Sequence, residues 1–210
     1  MPSAPSDNKQ ITDGMLLQRY LEGDTSAFTD LVRRYERELF NFLARFTGDR
    51  SLADDVFQET FLQLHLSGAS FDTSRRFKPW LFTIAANKAR DALRSRSRKR
   101  AAPLDAPMPG SEDGRTSYVD LMPADIPAPD QEILNLETRQ AVQRMVQDMP
   151  ENLRVVLLLS YFHEFPYKDI ADMLGVPLGT VKSRLHTAVN TFARKWKAYA
   201  ERKRHEASQE

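Results

Sequence analysis

Apolar residues recur every three or four positions over most of this chain, and this spacing predicts helices rather than strands. Three breaks divide the first half of the pattern, at residues 23–24, 48–49 and 67–78. Pro79 follows the last break, at the start of a helix, where the missing N–H of proline costs no hydrogen bond. Residues 11–100 are therefore predicted to form one helical domain, and residues 1–10 a flexible tail.

Side chains that cap helices stand at the first two breaks, namely Asp24, Thr25 or Ser26 at the first and Asp49 or Ser51 at the second. Helical spacing returns after residue 131 with Ile133, Leu134, Leu136, Val142 and Val146. Pro150 ends that helix, and another is predicted over residues 152–162. We therefore predict a second helical domain over residues 131–200 and a tail over residues 201–210.

The composition changes abruptly between the two domains. Residues 101–130 contain six prolines and six acidic residues but one basic residue, Arg115, and no sustained periodicity. Such a segment buries too little apolar surface to pack, so it is predicted to be a flexible acidic linker. Because no strand alternation or hairpin turn signal occurs, the predicted fold class is all-α, with two small helical domains joined by this linker.

The overall composition excludes several classes of site. The chain has 210 residues, 41% of them hydrophobic and 28% charged, which is ordinary for a globular protein of one large or two small domains. It contains no cysteine, so disulfides, thiolate zinc sites and cysteine nucleophiles are excluded. The longest apolar run, residues 155–159, is too short for a membrane span, and we expect no membrane insertion.

Residues 167–186 have the spacing of a helix-turn-helix. Ile170 and Leu174 lie one turn apart and share an inward face. Gly175 stands where a left-handed residue ends the first helix, and Pro177 stands where the second begins.

The second helix of this motif is amphipathic. Its apolar stripe is Val181, Leu185, Ala188 and Phe192, and its opposite face carries Gly179, Ser183, His186, Thr187 and Asn190 with Lys182 and Arg184 at the sides. Residues 182–204 contain eight basic residues and one acidic residue. Short polar side chains over base edges and long cations beside them suit a helix in the major groove. The alternative is an ordinary helical hairpin with a solvated basic face.

A second polar face lies on the helix after Pro79. Thr83, Asn87, Arg90 and Arg94 share it, at spacings of four, three and four residues, and a basic run follows at residues 94–100. An Asn and several Arg next to aromatic residues suit the gripping of unpaired bases. Taken alone, however, the helix fits better as a surface helix whose basic end complements its dipole.

The sequence gives no support for catalysis. Asp55, Gln58 and Glu59 fall on one side of a predicted helix, but a docking face or a solvated face explains them better than acid–base chemistry. Phosphate-binding, dinucleotide-binding, nucleophile-elbow and zinc-protease motifs are missing, and the four histidines are scattered. We therefore predict no enzyme, and no catalytic, cofactor or metal site.

Four segments together resemble a known family: DDVFQETFLQLH, FKPWLFTIAANKARD, MPENLRVVLLLSYF and YKDIADMLGVPLGTVKSRLHTA. They resemble the bacterial extracytoplasmic-function (ECF) sigma factors, the small two-domain branch of the sigma-70 family. The resemblance covers roughly residues 14–97 and 132–197. It implies a sigma region 2-like domain at residues 11–100 and a sigma region 4-like domain at residues 131–200.

The resemblance also implies roles for particular residues. Asp55, Gln58 and Glu59 match the segment that docks on the clamp helices of the polymerase β′ subunit, and residues 67–78 match the loop that captures a flipped base. The residues implied for the −10 element are Thr83, Asn87, Lys88, Arg90 and Arg94. Those implied for the −35 element are Gly179, Thr180, Lys182, Ser183, Arg184, His186 and Thr187.

The function implied is promoter-specific transcription initiation in the cytoplasm. The implied partners are the β and β′ subunits of core RNA polymerase, promoter DNA, and an anti-sigma factor that holds the protein inactive until a stress or envelope signal. A linker of about 30 residues spans up to roughly 100 Å. The gap between promoter elements typical of the family, seventeen base pairs, is only about 58 Å at ~3.4 Å per pair.

Two other classes give different expectations. A stand-alone helix-turn-helix regulator would need a ligand pocket or a dimerisation helix, whereas the first domain ends in a basic helix. A sigma-like decoy that binds anti-sigma proteins would have lost its basic faces and would usually carry a receiver domain.

Overall fold

A computed structural model describes residues 11–101 and 136–207, and within these ranges all regular structure is helical. The helices are α1 (Asp13–Leu21), α2 (Thr25–Thr47), α3 (Arg50–Ser67), α4 (Phe77–Ala101), α5 (Leu136–Gln147), α6 (Glu151–Leu157), α7 (Tyr167–Leu174) and α8 (Leu178–Ala207). A 3₁₀ turn, Gly68–Ser70, follows α3, and a π-helical turn, Leu158–Phe162, continues α6. The predicted all-α class is confirmed. The predicted N-terminal tail and linker residues 102–130 lie outside the described ranges.

Local sequence sets the ends of the helices in the first module, α1–α4. Asp24 begins α2 by accepting a hydrogen bond from Ser26 N at 3.0 Å, and Asp49 begins α3 by accepting from Leu52 N at 3.1 Å. Gly48 ends α2 with a left-handed φ of 73°. These are the residue types that caps require, so both predicted breaks are confirmed.

Aromatic and leucine side chains fill the first module. Its largest fully buried side chains are Leu16, Leu17, Leu31, Leu39, Phe42, Leu43, Phe46, Leu64, Leu81 and Phe82. Each contributes about 1.5–3 kcal/mol by leaving water. Helix α4 begins at Phe77, two residues before the predicted Pro79. The buried Phe77 ring packs at 5.6 Å from the Tyr35 ring, which accounts for the earlier start.

The second module, α5–α8, contains the predicted helix-turn-helix. Ile170 and Val181 are fully buried between α7 and α8, and Gly175 has a left-handed φ of 62°. Helix α8 continues to Ala207, past residue 200 where we expected the domain to end. The ion pair between Lys203 and Glu137 on α5 supports this extension. A second pair, between Lys195 and Asp148 just after α5, holds an earlier part of α8.

The two modules pack against each other, which the sequence did not predict. Gln147 Nε2 donates a hydrogen bond to Arg45 O, and Arg154 Nη1 donates to Phe46 O at 2.7 Å. Both acceptors lie in the last turn of α2, where carbonyls lack partners within the helix. The second module therefore caps a helix of the first.

His163, which follows the π-helical turn, enters the first module. Its ring centroid lies 5.5 Å from that of Phe42 and 5.0 Å from that of Phe82. Its Nδ1 lies 3.0 Å from Glu38 Oε1, which Lys78 Nζ also contacts at 2.7 Å. Burial lowers the pKa of His163, and the nearby Glu38 carboxylate opposes this only in part. The imidazole is therefore neutral in this arrangement, with its Nδ1–H donating to Glu38.

We predict that Gly48→Ala lowers the free energy of unfolding by about 1–2 kcal/mol, because an alanine is strained at a left-handed φ. Its Cβ would also overlap the Gln147 side chain. The cost should therefore be smaller when Gln147 is already alanine. Urea denaturation of the wild type, both single variants and the double variant measures this coupling.

Gly23→Ala is the matched control, since Gly23 also has a positive φ but no atom lies within 4 Å of the added Cβ. Its cost should not depend on Gln147. Additive effects of Gly48→Ala and Gln147→Ala would contradict the contact between the modules.

Candidate nucleic-acid interface

The start of α8 presents the polar face that the sequence predicted. Val181 is fully buried and Leu185 nearly so, and they hold this helix against the rest of its module. Gly179, Lys182, Ser183, His186 and Thr187 are exposed, whereas Thr180 and Arg184 are half-buried. The seven predicted residues therefore lie in the first three turns of one helix, with most of their side chains facing solvent.

Three of these side chains already have partners on their own helix. Ser183 Oγ donates to Thr180 O at 3.1 Å, and Thr187 Oγ1 donates to Ser183 O at 3.0 Å. Asn190 Nδ2 donates a hydrogen bond to His186 Nε2 at 2.9 Å, so the ring proton of His186 is on Nδ1. The two hydroxyls thus offer lone pairs outward, which match the N4 amino group of cytosine or the N6 amino group of adenine.

A groove beside this helix adds residues that the sequence analysis missed. Tyr161, Glu164 and Tyr167 line it together with Lys182 and His186. Tyr161 is 64% exposed and Tyr167 is 41% exposed, so both are accessible at this groove. The sequence signal that could have identified the two tyrosines is their position beside the helix-turn-helix. Tyr161 lies in the π-helical turn that precedes it, and Tyr167 is the first residue of α7.

The face of α4 is built from four of the five residues predicted for it. Arg90 Nη2 donates to Asn87 Oδ1, and Thr83 Oγ1 donates to Pro79 O at 2.8 Å. Arg94 is exposed one turn after Arg90. The Asn87–Arg90 bond fixes both side chains on the same outer side of the helix.

Lys88 lies apart from that face. It is one residue beyond Asn87, so it points to a different side of α4 and reaches Glu59 on α3, with Nζ 3.9 Å from Oε2. A groove between α3 and α4 contains Lys88, Glu59 and Asp55. The structure therefore places Lys88 with the acidic residues predicted for docking.

Asp55, Gln58 and Glu59 are all exposed on the outer side of α3, as the spacing predicted. The same side continues into two exposed leucines, Leu62 and Leu66, which are 58% and 69% exposed. The sequence analysis did not single out these leucines. The sequence signal that could have identified them is their spacing, because apolar residues three and seven positions after Glu59 fall on the polar side of the helix.

The segment between α3 and α4 presents two exposed arginines. Phe71 anchors it, with its ring 4.6 Å from that of Trp80. Asp72 turns the chain by accepting from Ser74 N at 3.0 Å. Arg75 and Arg76 are exposed beyond this turn. The predicted base-capture loop is thus a cationic rim beside buried aromatic rings.

Within the described ranges, no group of three or more His, Asp or Glu side chains is placed to hold a metal ion. None of the helices in that part of the chain has both the length and the hydropathy that crossing a membrane requires.

Comparison with known proteins finds one matching family profile in each module. The family profile "Sigma-70 region 2" matches residues 31–99, and the profile "Sigma-70, region 4" matches residues 139–191. Two solved structures share the fold at 24% identity. One, of CnrH in complex with the cytosolic domain of CnrY, has a TM-score of 0.63 and covers 89% of this chain and 97% of its own. The other, of the sigma factor RpoE in complex with the anti-sigma factor NepR from Bartonella quintana, has a TM-score of 0.64 and covers 81% and 96%.

Curated relatives are more similar in sequence. The ECF RNA polymerase sigma factor SigW of Bacillus subtilis is 34% identical over 81% of this chain and 89% of its own length. The ECF RNA polymerase sigma-E factor of Escherichia coli K12 is 32% identical over 86% and 92%. At this identity and coverage, the chain belongs to the ECF sigma factors of the sigma-70 family.

Proposed function

We propose that this chain binds core RNA polymerase as its sigma subunit and directs initiation at promoters with matching −10 and −35 elements. The observation that carries the proposal is the presence of two separate polar faces, on α4 and at the start of α8, each opposite a buried apolar stripe. They fall in the parts of the chain that match sigma-70 regions 2 and 4. The protein supplies recognition, and the polymerase supplies the chemistry.

The start of α8 is proposed to read the −35 element in the major groove. Lys182 and Arg184 lie at the sides of the helix, where long cations meet phosphates. Ser183 and His186 lie between them and face base edges. Tyr161, in the adjacent groove, extends this surface along the DNA backbone.

The outer face of α4 is proposed to hold the melted −10 strand. Asn87, Arg90 and Arg94 offer amide and guanidinium donors to unpaired bases and phosphates. The loop carrying Arg75 and Arg76 lies before the same helix and would capture a flipped base. Lys88 would act with Glu59 at the edge of the docking surface, because that is where it lies.

The proposed docking surface for the polymerase β′ subunit consists of Asp55, Gln58 and Glu59. Because bacterial transcription takes place in the cytoplasm, the protein is proposed to act there. An anti-sigma factor is proposed as the inhibitor released by a stress or envelope signal. The support is a structure with the same fold that contains an anti-sigma factor.

Run-off transcription with purified bacterial core polymerase on genomic fragments tests this function. We expect discrete start sites that depend on the added protein, and little specific binding of the free protein to promoter duplex. Tight, specific binding to duplex without polymerase would instead support the stand-alone regulator.

Charge reversal of Asp55 and Glu59 to lysine should weaken core binding at least about tenfold, because repulsion would replace attraction at a partly desolvated contact. Co-elution with core polymerase measures it. The control reverses Glu22 and Asp30, two exposed acidic residues on the first module, with the same change in net charge. If the Asp55/Glu59 variant and the Glu22/Asp30 control bind core polymerase equally well, the docking assignment is wrong.

The substitutions Lys182→Ala and His186→Ala should affect −35 recognition in different ways. Loss of the Lys182 phosphate contact should weaken binding about equally on all −35 variants and lower the salt slope by roughly one. Loss of His186 should change the preferred base at one position. Selection over randomised −35 sequences with the holoenzyme distinguishes the two.

Lys197→Ala is the control, since Lys197 is an exposed cation farther along α8. It should leave the salt slope and the base preference unchanged. Identical base preferences for His186→Ala and wild type would show that His186 does not read a base.

A further inference from the structure

Two hydroxyl groups at the start of α8 have their protons occupied by the helix itself. Ser183 Oγ donates to Thr180 O at 3.1 Å, and Thr187 Oγ1 donates to Ser183 O at 3.0 Å. Only the lone pairs of these hydroxyls are left for a base edge. A hydroxyl that donated to DNA would first have to lose its bond to the helix, so both act as acceptors.

The hydrogen bond between Asn190 and His186 gives the imidazole the opposite polarity. Asn190 Nδ2 donates to His186 Nε2 at 2.9 Å. A ring nitrogen that accepts a hydrogen bond carries no proton, so the proton is on Nδ1. Within the described parts of the chain, no side chain or backbone group forms a hydrogen bond with this Nδ1. Because His186 is exposed, Nδ1–H is a donor that is available to a ligand.

Asn190 lies on the same side of α8 as the residues that it would influence. It is exposed, four residues after His186 and three residues after Thr187, and side chains at these two spacings are neighbours on a helix. It was not among the residues that the sequence analysis implied for the −35 element. Its amide is therefore placed to orient the imidazole from the next turn.

We infer that Asn190 is a positioning residue of the −35 face, the exposed side of α8 proposed to read the −35 element, and that it sets the base preference of His186. The inference rests on the proposed sigma function. With its proton on Nδ1, His186 requires an acceptor in the major groove. Guanine N7 and O6, adenine N7 and thymine O4 are such acceptors, whereas cytosine presents only its N4 amino donor. His186 therefore disfavours cytosine at the base that it contacts.

The two hydroxyls favour the other class of base edge. As acceptors, Ser183 and Thr187 match the N6 amino group of adenine and the N4 amino group of cytosine. Their orientation depends on the backbone carbonyls of residues 180 and 183 and not on Asn190. The bases that they contact are therefore an internal control for any change made at Asn190.

The opposite orientation of the Asn190 amide would give the opposite preference. If Asn190 Oδ1 accepted from a proton on His186 Nε2, then Nδ1 would be an acceptor and would favour the amino groups of cytosine and adenine. The position of the ring proton and the preferred base are thus two consequences of one hydrogen bond. Each can be measured without the other.

Nitrogen-15 NMR of the free, full-length protein with labelled histidine measures the proton position without polymerase or DNA. The chain has four histidines, and His186→Ala identifies the signals of His186. At about pH 8.5, where an imidazole is ordinarily neutral, we expect a protonated Nδ1 and a bare Nε2 in the wild type. Asn190→Leu should give a mixture of both tautomers. A wild-type ring that is protonated on Nε2 would overturn the inference.

Selection over randomised −35 sequences with the holoenzyme measures the base preference, at the position that changes in His186→Ala. The wild type should disfavour cytosine there. Asn190→Leu removes the amide at similar size and should reduce this discrimination about two- to tenfold, the range that one neutral hydrogen bond supplies. Asn190→Gln keeps an amide donor and should retain most of it. Cytosine preferred by the wild type, or equal discrimination by Asn190→Leu, would contradict the assigned role.

The double variant separates positioning from direct contact. In a His186→Ala background, Asn190→Leu should not change the preference at this position, because Asn190 acts through the ring. A change there would show that Asn190 contacts a base itself and is not a positioning residue. The absence of promoter-specific run-off transcription would overturn the proposed function, whereas the NMR result is obtained on the free protein, so the two proposals can fail separately.

Discussion

The packing of the two modules against each other depends on one interaction, the hydrogen bond between the neutral, buried imidazole of His163 and the Glu38 carboxylate. His163 belongs to the second module and lies in the aromatic core of the first, next to Phe42 and Phe82. Burial raises the pKa of Glu38, but hydrogen bonds from His163 and Lys78 outweigh it and hold that pKa below its ordinary value. A charged carboxylate is thus kept at the edge of an apolar contact, because two donors satisfy it.

Packing also decides which residues are available to a ligand. Helix α4 buries Leu81, Phe82 and Ala85 against α2 and α3, so Asn87 and Arg94 face outward. The start of α8 is oriented in the same way by its buried stripe. The face proposed to bind DNA on each of these two helices is therefore the side that does not pack against the core.

Cations that look alike in the sequence have different roles in the structure. Lys182 is exposed at the start of α8, whereas Lys195 binds Asp148 and thereby ties α8 to the α5 region. Arg154 donates to the last turn of α2 and stabilises the contact between the modules. The excess of basic residues over residues 182–204 is thus partly balanced by acidic residues outside that range.

The sequence by itself determined the features that depend on near neighbours. Asp49 and Gly175 mark helix ends because caps and left-handed residues act within one turn, and the motif around Gly175 was predicted for the same reason. The tertiary structure decided the partner of Lys88, the end of α8 and the position of His163. Each depends on residues that are distant in the sequence, such as Glu59 for Lys88 and Glu38 for His163. Spacing along one helix cannot specify such partners, because they are set by how whole helices pack.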